Sequence, residues 1–241
     1  MTKNQNDYLQ NRNVAGFKTL SLERGGEKEL IWHSIQPFLA EAPENASILD
    51  YGCGTGWLAY KAATEYSMKA FGYDPSEKMI ETAQENFQHK NLQFSTTMEE
   101  AEGLRFDISF MIFVPPAINT AEDLYAAFKD VQHHLKPNGL LIVVTANPEN
   151  VFYRHAYYEG ISPENNVKSG TPYQVKIYAA DNALVAEVTD YFWSSHDIER
   201  IATEAGFTLN TSICFADKNT PNNTKPSNLP YKLYKLSSAS I

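Results

Sequence analysis

The stretch Ile48-Leu49-Asp50-Tyr51-Gly52-Cys53-Gly54-Thr55-Gly56-Trp57-Leu58-Ala59 decides how the rest of the chain is read. A short apolar run ends in an acid, glycine then stands at every second position, and helix-forming residues follow. A strand that feeds a glycine turn at a helix N-terminus brings backbone close to a ligand, because glycine has no Cβ and tolerates positive φ. The spacing separates two kinds of site. A dinucleotide fingerprint, G-x-G-x-x-G, would need its third glycine where Trp57 stands. The pattern here is D-x-G-x-G-x-G, and a carboxylate just before the first glycine repels a pyrophosphate but suits a cationic ligand.

Three further segments stand in order behind the loop. Phe71-Gly72-Tyr73-Asp74-Pro75-Ser76 closes a second strand with an acid, about 20 residues past the glycines, where a βαβ unit sets a carboxylate on ribose hydroxyls. Phe106-Asp107-Ile108-Ser109-Phe110-Met111 reads as another buried strand. Leu135-Lys136-Pro137-Asn138-Gly139-Leu140-Leu141-Ile142-Val143 reads as a turn into the next. With the glycine loop, these segments resemble the class I S-adenosylmethionine-dependent methyltransferases over roughly residues 30 to 146. Asn138 replaces the first glycine of that family's "LKPGG" turn. The resemblance implies a seven-stranded, mostly parallel Rossmann-like α/β sheet with helices on both faces and a final antiparallel hairpin strand. It also implies S-adenosyl-L-methionine as cofactor.

Composition narrows the function classes. A chain of 241 residues with 43% hydrophobic residues can build a full α/β core. Its net charge of -9 argues against nucleic acid as partner, since such binders present a basic face. The polar start and the lack of any long apolar run predict a cytoplasmic protein without membrane contact, as a monomer or homodimer. Two cysteines, Cys53 and Cys214, make neither a disulfide framework nor a metal knuckle. No His/Cys/carboxylate spacing suggests a metal, which disfavours magnesium-assisted methylation; His133 and His134 read as structural residues of a helix's last turn.

Along the chain, periodicity predicts a helix from Glu27, strands alternating with helices to Thr145, and a hairpin of Tyr173 to Ala180 with Leu184 to Phe192 across Asp181-Asn182. A helix capped by Ser194 and ended by Gly206 follows, then two last strands near Thr208 to Phe215 and Tyr231 to Leu236. Residues 147 to 172 are aromatic-rich without clear periodicity. The expected division is an N-terminal cap segment at 1–26, a cofactor-binding core at 27–146, an aromatic lid and hairpin insertion at 147–192, and completion of the core sheet at 193–241.

By the same resemblance, Gly52, Gly54 and Gly56 line the methionine and ribose side and Asp50 holds the amino group. Asp74 accepts the ribose hydroxyls, and Pro75 and Met79 flank the adenine. The family's usual Asp after the third strand is missing, so Met98 and Glu99 are set at the adenine instead. Ile112 and Phe113 are expected beside the transferable methyl. Val114-Pro115-Pro116-Ala117 lacks the polar first residue and the aromatic fourth of the tetrad that adenine and glutamine amino-methyltransferases carry. This departure counts against a nucleic-acid amino-methyltransferase, and the acidic charge with the lid insertion favours a small-molecule methyl acceptor through O, N or C. Its general base is sought in the lid, at His155, Tyr153 or Tyr157, because hydroxyl acceptors need a proton removed. The alternatives are a protein or RNA methyltransferase and a non-catalytic scaffold that keeps the fold.

Overall fold

The computed structural model describes residues 11–22, 26–163 and 167–238. Its helices are α1 (Asn11–Leu22), α2 (Glu27–Ala40), α3 (Trp57–Glu65), α4 (Glu77–Asn86), α5 (Ala121–His134) and α6 (Ser195–Glu204). The strands are β1 (Ser47–Tyr51), β2 (Lys69–Tyr73), β3 (Leu92–Ser95), β4 (Phe106–Ile112), β5 (Leu135–Ala146), β6 (Tyr158–Ile161), β7 (Pro172–Tyr178), β8 (Leu184–Tyr191), β9 (Phe207–Phe215) and β10 (Tyr231–Ser238).

The main sheet has seven strands in the order β3-β2-β1-β4-β5-β10-β9. Strands β1 to β5 are parallel, and β10 runs antiparallel between β5 and β9. Successive side chains of β1 point to opposite faces. Ile48 thus joins the core under α2, α3 and α4, with Ile35, Leu58 and Ala83, while Leu49 joins Phe128, Val131 and Ile201 under α5 and α6. Both faces are covered, as a parallel sheet requires. Helix starts follow local chemistry: the hydroxyls of Ser76, Thr120 and Ser194 accept the backbone N–H groups of Met79, Asp123 and Asp197.

The strand order reverses beside β1, which pairs with β2 on one side and β4 on the other. Open α/β sheets bind ligands at the carboxyl ends of strands at such a switch point. The glycine loop leaves β1 there.

Two segments differ from the sequence expectation. The aperiodic stretch from 147 to 172 contains a strand, β6, that joins the expected hairpin in a separate antiparallel sheet β6-β7-β8. Four residues are too few to show a period, and pairing with β7 makes the strand. β5 already starts at Leu135, because the Lys136-Pro137-Asn138-Gly139 segment, expected as a turn before the strand, is drawn into the ladder with Asn138 at φ 60. Of the N-terminal segment, Asn11–Leu22 is helical and packs on β8; residues 1–10 lie outside the described residues. Gly16 permits that approach, since a Cβ there would stand 2.1 Å from the Val185 carbonyl oxygen. Asn13 Nδ2 donates to the Glu187 carbonyl at 3.0 Å across the same contact. No described helix is long and apolar enough to cross a membrane.

Candidate active site

The glycine loop is shaped by its own backbone. The N–H groups of Gly52 and Cys53 both donate to the Tyr73 carbonyl, at 2.7 and 2.8 Å, which ties the end of β1 to the end of β2. Gly52, Gly54 and Gly56 all take positive φ. At Gly56 a side chain is excluded twice: φ is 83°, and a Cβ would meet the Phe94 ring at 2.5 Å. At Gly54 the Cβ direction opens onto free space, which leaves bare backbone facing a gap.

Two acids flank the loop. Asp50 is 3% exposed and accepts the Ala59 N–H in the first turn of α3 at 3.3 Å. Asp74 accepts the Gly54 N–H at 2.9 Å and the Ser76 N–H at 3.0 Å. Desolvation outweighs these bonds and raises both carboxyls, Asp50 to about 7 and Asp74 to about 6. Buried acids this poorly compensated suit a ligand that brings a cation and hydroxyl donors. The backbone gap at Gly54 and the paired acids therefore fit the amino and ribose groups of S-adenosyl-L-methionine.

The other expected cofactor residues differ in exposure. Met79 is buried in the first turn of α4, Pro75 is exposed just before it, Met98 is half-buried, and Glu99 is exposed. Ile112 ends β4. Phe113 follows with φ 57, a left-handed conformation that is costly for an aromatic residue and typical of functional corners. Its N–H is held by the Val144 carbonyl at 2.8 Å.

The three expected lid residues do not converge. Tyr153, 63% exposed, and His155 line an open cleft of about 640 Å³ between residues 149–155 and 217–228. Tyr157 is buried and does not line it. His155 Nε2 faces the Asn150 carbonyl at 3.0 Å, and its ring lies 4.8 Å from that of Tyr158. A row of rings continues inward: Tyr158 stands 5.6 Å from Tyr231, and Tyr231 stands 6.2 Å from Phe113.

Sequence reasoning missed three residues here. The Tyr231 hydroxyl donates to Glu27 Oε1 at 2.7 Å. Glu27 is half-buried as a residue, and desolvation of its inward carboxyl pushes it up to about 7, with Asp217 and Asp190 adding to the rise. Lys28, next to it, falls to about 7, mainly through loss of solvent. Its Nζ lies 3.4 Å from Thr55 Oγ1 and 5.6 Å from the Trp57 ring centre. Helical periodicity treats Glu27 and Lys28 as an ordinary polar first turn.

Known proteins agree with this layout. Residues 24–212, most of the chain, match the methyltransferase domain family. A malonyl-[acyl-carrier protein] O-methyltransferase of Bacillus cereus is 30% identical over 162 residues, which cover 63% of this chain and 58% of that enzyme. The match thus spans little more than half of that relative's length. An N-demethylindolmycin N-methyltransferase of Streptomyces griseus is 20% identical over 205 residues, 83% of each chain. Among solved structures, the magnesium protoporphyrin IX methyltransferase of Synechocystis, determined with bound SAM, superposes with a TM-score of 0.60 at 16% identity, covering 97% of this chain and 94% of that one. This last likeness concerns the fold. By the extent of the family match, carried by the loop, the paired acids and the strand order, the chain belongs to the methyltransferase domain family, in its class I, S-adenosylmethionine-dependent branch.

Proposed function

We propose that this protein passes a methyl group from S-adenosyl-L-methionine to an oxygen, nitrogen or carbon of a small molecule. The observation that carries the reading is the corner where strained Phe113 meets Tyr231 and the Glu27–Tyr231 hydrogen bond, next to the glycine loop's strand. When bound, the cofactor supplies a methyl already activated by its sulfonium, so the chain's task is positioning and exclusion of water.

Asp50 would hold the cofactor's amino group, Gly52, Gly54 and Gly56 its methionine and ribose side, and Asp74 the ribose hydroxyls. Pro75 and Met79, with Met98 and Glu99 on the far side, would flank the adenine, and Ile112 and Phe113 the methyl. On the acceptor side, Glu27 is the acid-base group: the Tyr231 hydroxyl donates to Oε1 and fixes the orientation of a carboxyl poised near neutrality, which takes a proton at its other oxygen. His155 sits at the outer end of the ring row and Tyr153 beside it in the cleft, where both guide entry. Tyr157 supports that wall from within. Residues 147–192, with α1 laid on β8, form the lid.

A carrier-bound acceptor is the second reading, favoured by the Bacillus cereus relative, whose name specifies an acyl-carrier-protein substrate. Calorimetric titration with S-adenosylmethionine, S-adenosylhomocysteine and NAD, with Asp74→Ala as control, tests the cofactor half. Micromolar binding of the two adenosyl ligands, lost in the variant, upholds it; a folded protein that binds neither overturns it. Methyl transfer assayed on free amines, phenols and carboxylic acids beside acyl-carrier-protein thioesters separates the two acceptor readings.

A further inference from the structure

On another flank of the molecule, the last turn of α5 meets the short crossover between β3 and β4. There Glu102, His133 and His134 each offer one ligand atom, all within 4.8 Å of one another. Sequence spacing gave no hint of it, since the carboxylate comes from a distant loop. We propose that these three side chains form a site for a borderline divalent transition ion of the Zn2+ type.

Two observations support the site independently of the cluster itself. His134 is 3% exposed, and its Nε2 has no hydrogen-bond partner. An orphaned buried ring nitrogen is costly and calls for an electrophile. Its other nitrogen, Nδ1, lies 2.9 Å from the Asp130 carbonyl oxygen and 3.4 Å from Asp130 Oδ1. That bond requires the proton on Nδ1, which leaves the ring's free lone pair on Nε2. A ligating histidine is held by such a second partner, which fixes tautomer and orientation. Asp130 also hydrogen-bonds the side chain of Tyr51, so the supporting partner is itself anchored to β1.

The surroundings favour a cation. The site lies at the C-terminus of α5, where unpaired carbonyls carry partial negative charge. The donor set of two imidazoles and one carboxylate, with a position left for water, is one that zinc accepts in tetrahedral geometry. Bond lengths of about 2.0–2.2 Å bring such ligands to ~3.4 Å from one another. Closing from 4.8 Å to that spacing falls to Glu102 and His133, which are both exposed, while His134 is buried.

The test is titration of the untagged full chain with Zn2+ alone by calorimetry, repeated with Co2+ and its visible spectrum. The expected result is one ion per chain at micromolar free metal, with the strong visible bands of four-coordinate cobalt. Glu102→Gln and His133→Ala, chosen because both side chains are exposed and their loss spares the core, should each weaken binding by roughly tenfold or more. Cys214→Ser should leave it unchanged. Absence of saturable binding up to about 100 µM zinc, or equal affinity in wild type and both variants, overturns the proposal. The readout is metal binding, so it stands or falls apart from methyl transfer.

Discussion

The two corners that meet at the end of β4 are built in opposite ways. The glycine-loop corner is local: Asp50, Gly54 and Asp74 fall within one βαβ unit, and backbone N–H groups fix its shape. The proposed acceptor corner is assembled from distance: Glu27 and Tyr231 meet across 204 residues through a side-chain hydrogen bond. A loop held by backbone tolerates change beyond its glycines and acids. A corner held by side chains can be retuned by single substitutions, which suits a fold whose cofactor is constant and whose acceptor varies.

The contrast can be broken by mutation. Asp50→Asn should cost the largest effect, a fall in S-adenosylmethionine affinity of ~100-fold, since a charge-assisted bond worth about 3 kcal/mol is lost from a buried site. Calorimetry reads it, and an affinity within threefold of wild type would remove Asp50 from the cofactor's amino group. Glu27→Gln should instead lower kcat by about 10- to 100-fold while leaving cofactor affinity unchanged. If both fall together, the two corners are not separable.

Acidity sharpens the comparison further. Asp50 and Asp74 have folded-state values near 7 and 6 against 3.8 when solvated. As pH rises from about 4 to 7, the unfolded chain therefore releases these protons first, and the free protein loses stability over that window. Lys28, depressed to about 7, acts in another window, adding stability between about 7 and its solvated value of 10.5. A cationic ligand pairs with ionised Asp50, so cofactor affinity should rise by up to ~10-fold between pH 6 and 8. Urea midpoints at pH 5 and 7 without ligand, and titrations at pH 6 and 8 with it, check both signs. The smallest effect belongs to the contact of α1 with β8, part of the proposed lid: Asn13→Ala loses the bond to the Glu187 carbonyl and should destabilise by ~1 kcal/mol. Hydrogen exchange at β8 is the probe, and equal protection in wild type and variant would detach α1 from the lid.

Much of the core was readable because its signals are short-range. Trp57 at the third dinucleotide position, Ser76 and Ser194 as caps, and Asp181-Asn182 between two alternating runs each act within a few residues. β6 was not readable, because four residues carry no period and only β7 makes them a strand. The general base was sought at His155, Tyr153 or Tyr157, in a segment without clear periodicity. Neighbours along an irregular segment point different ways, and the structure leaves Tyr153 exposed and Tyr157 buried.

Sequence alone determined the class of the fold, the type of cofactor and the pattern of a glycine loop set between two acids. Glycines at alternate positions after an acid, and a second acid one βαβ unit later, are constraints that neighbouring residues impose on one another. Tertiary structure alone decided that Glu27 faces Tyr231, that α1 lies on β8, and that Glu102 comes within 4.8 Å of His133 and His134. These contacts join segments whose separation along the chain carries no periodic or turn signal, so burial and packing of the whole sheet had to bring them together.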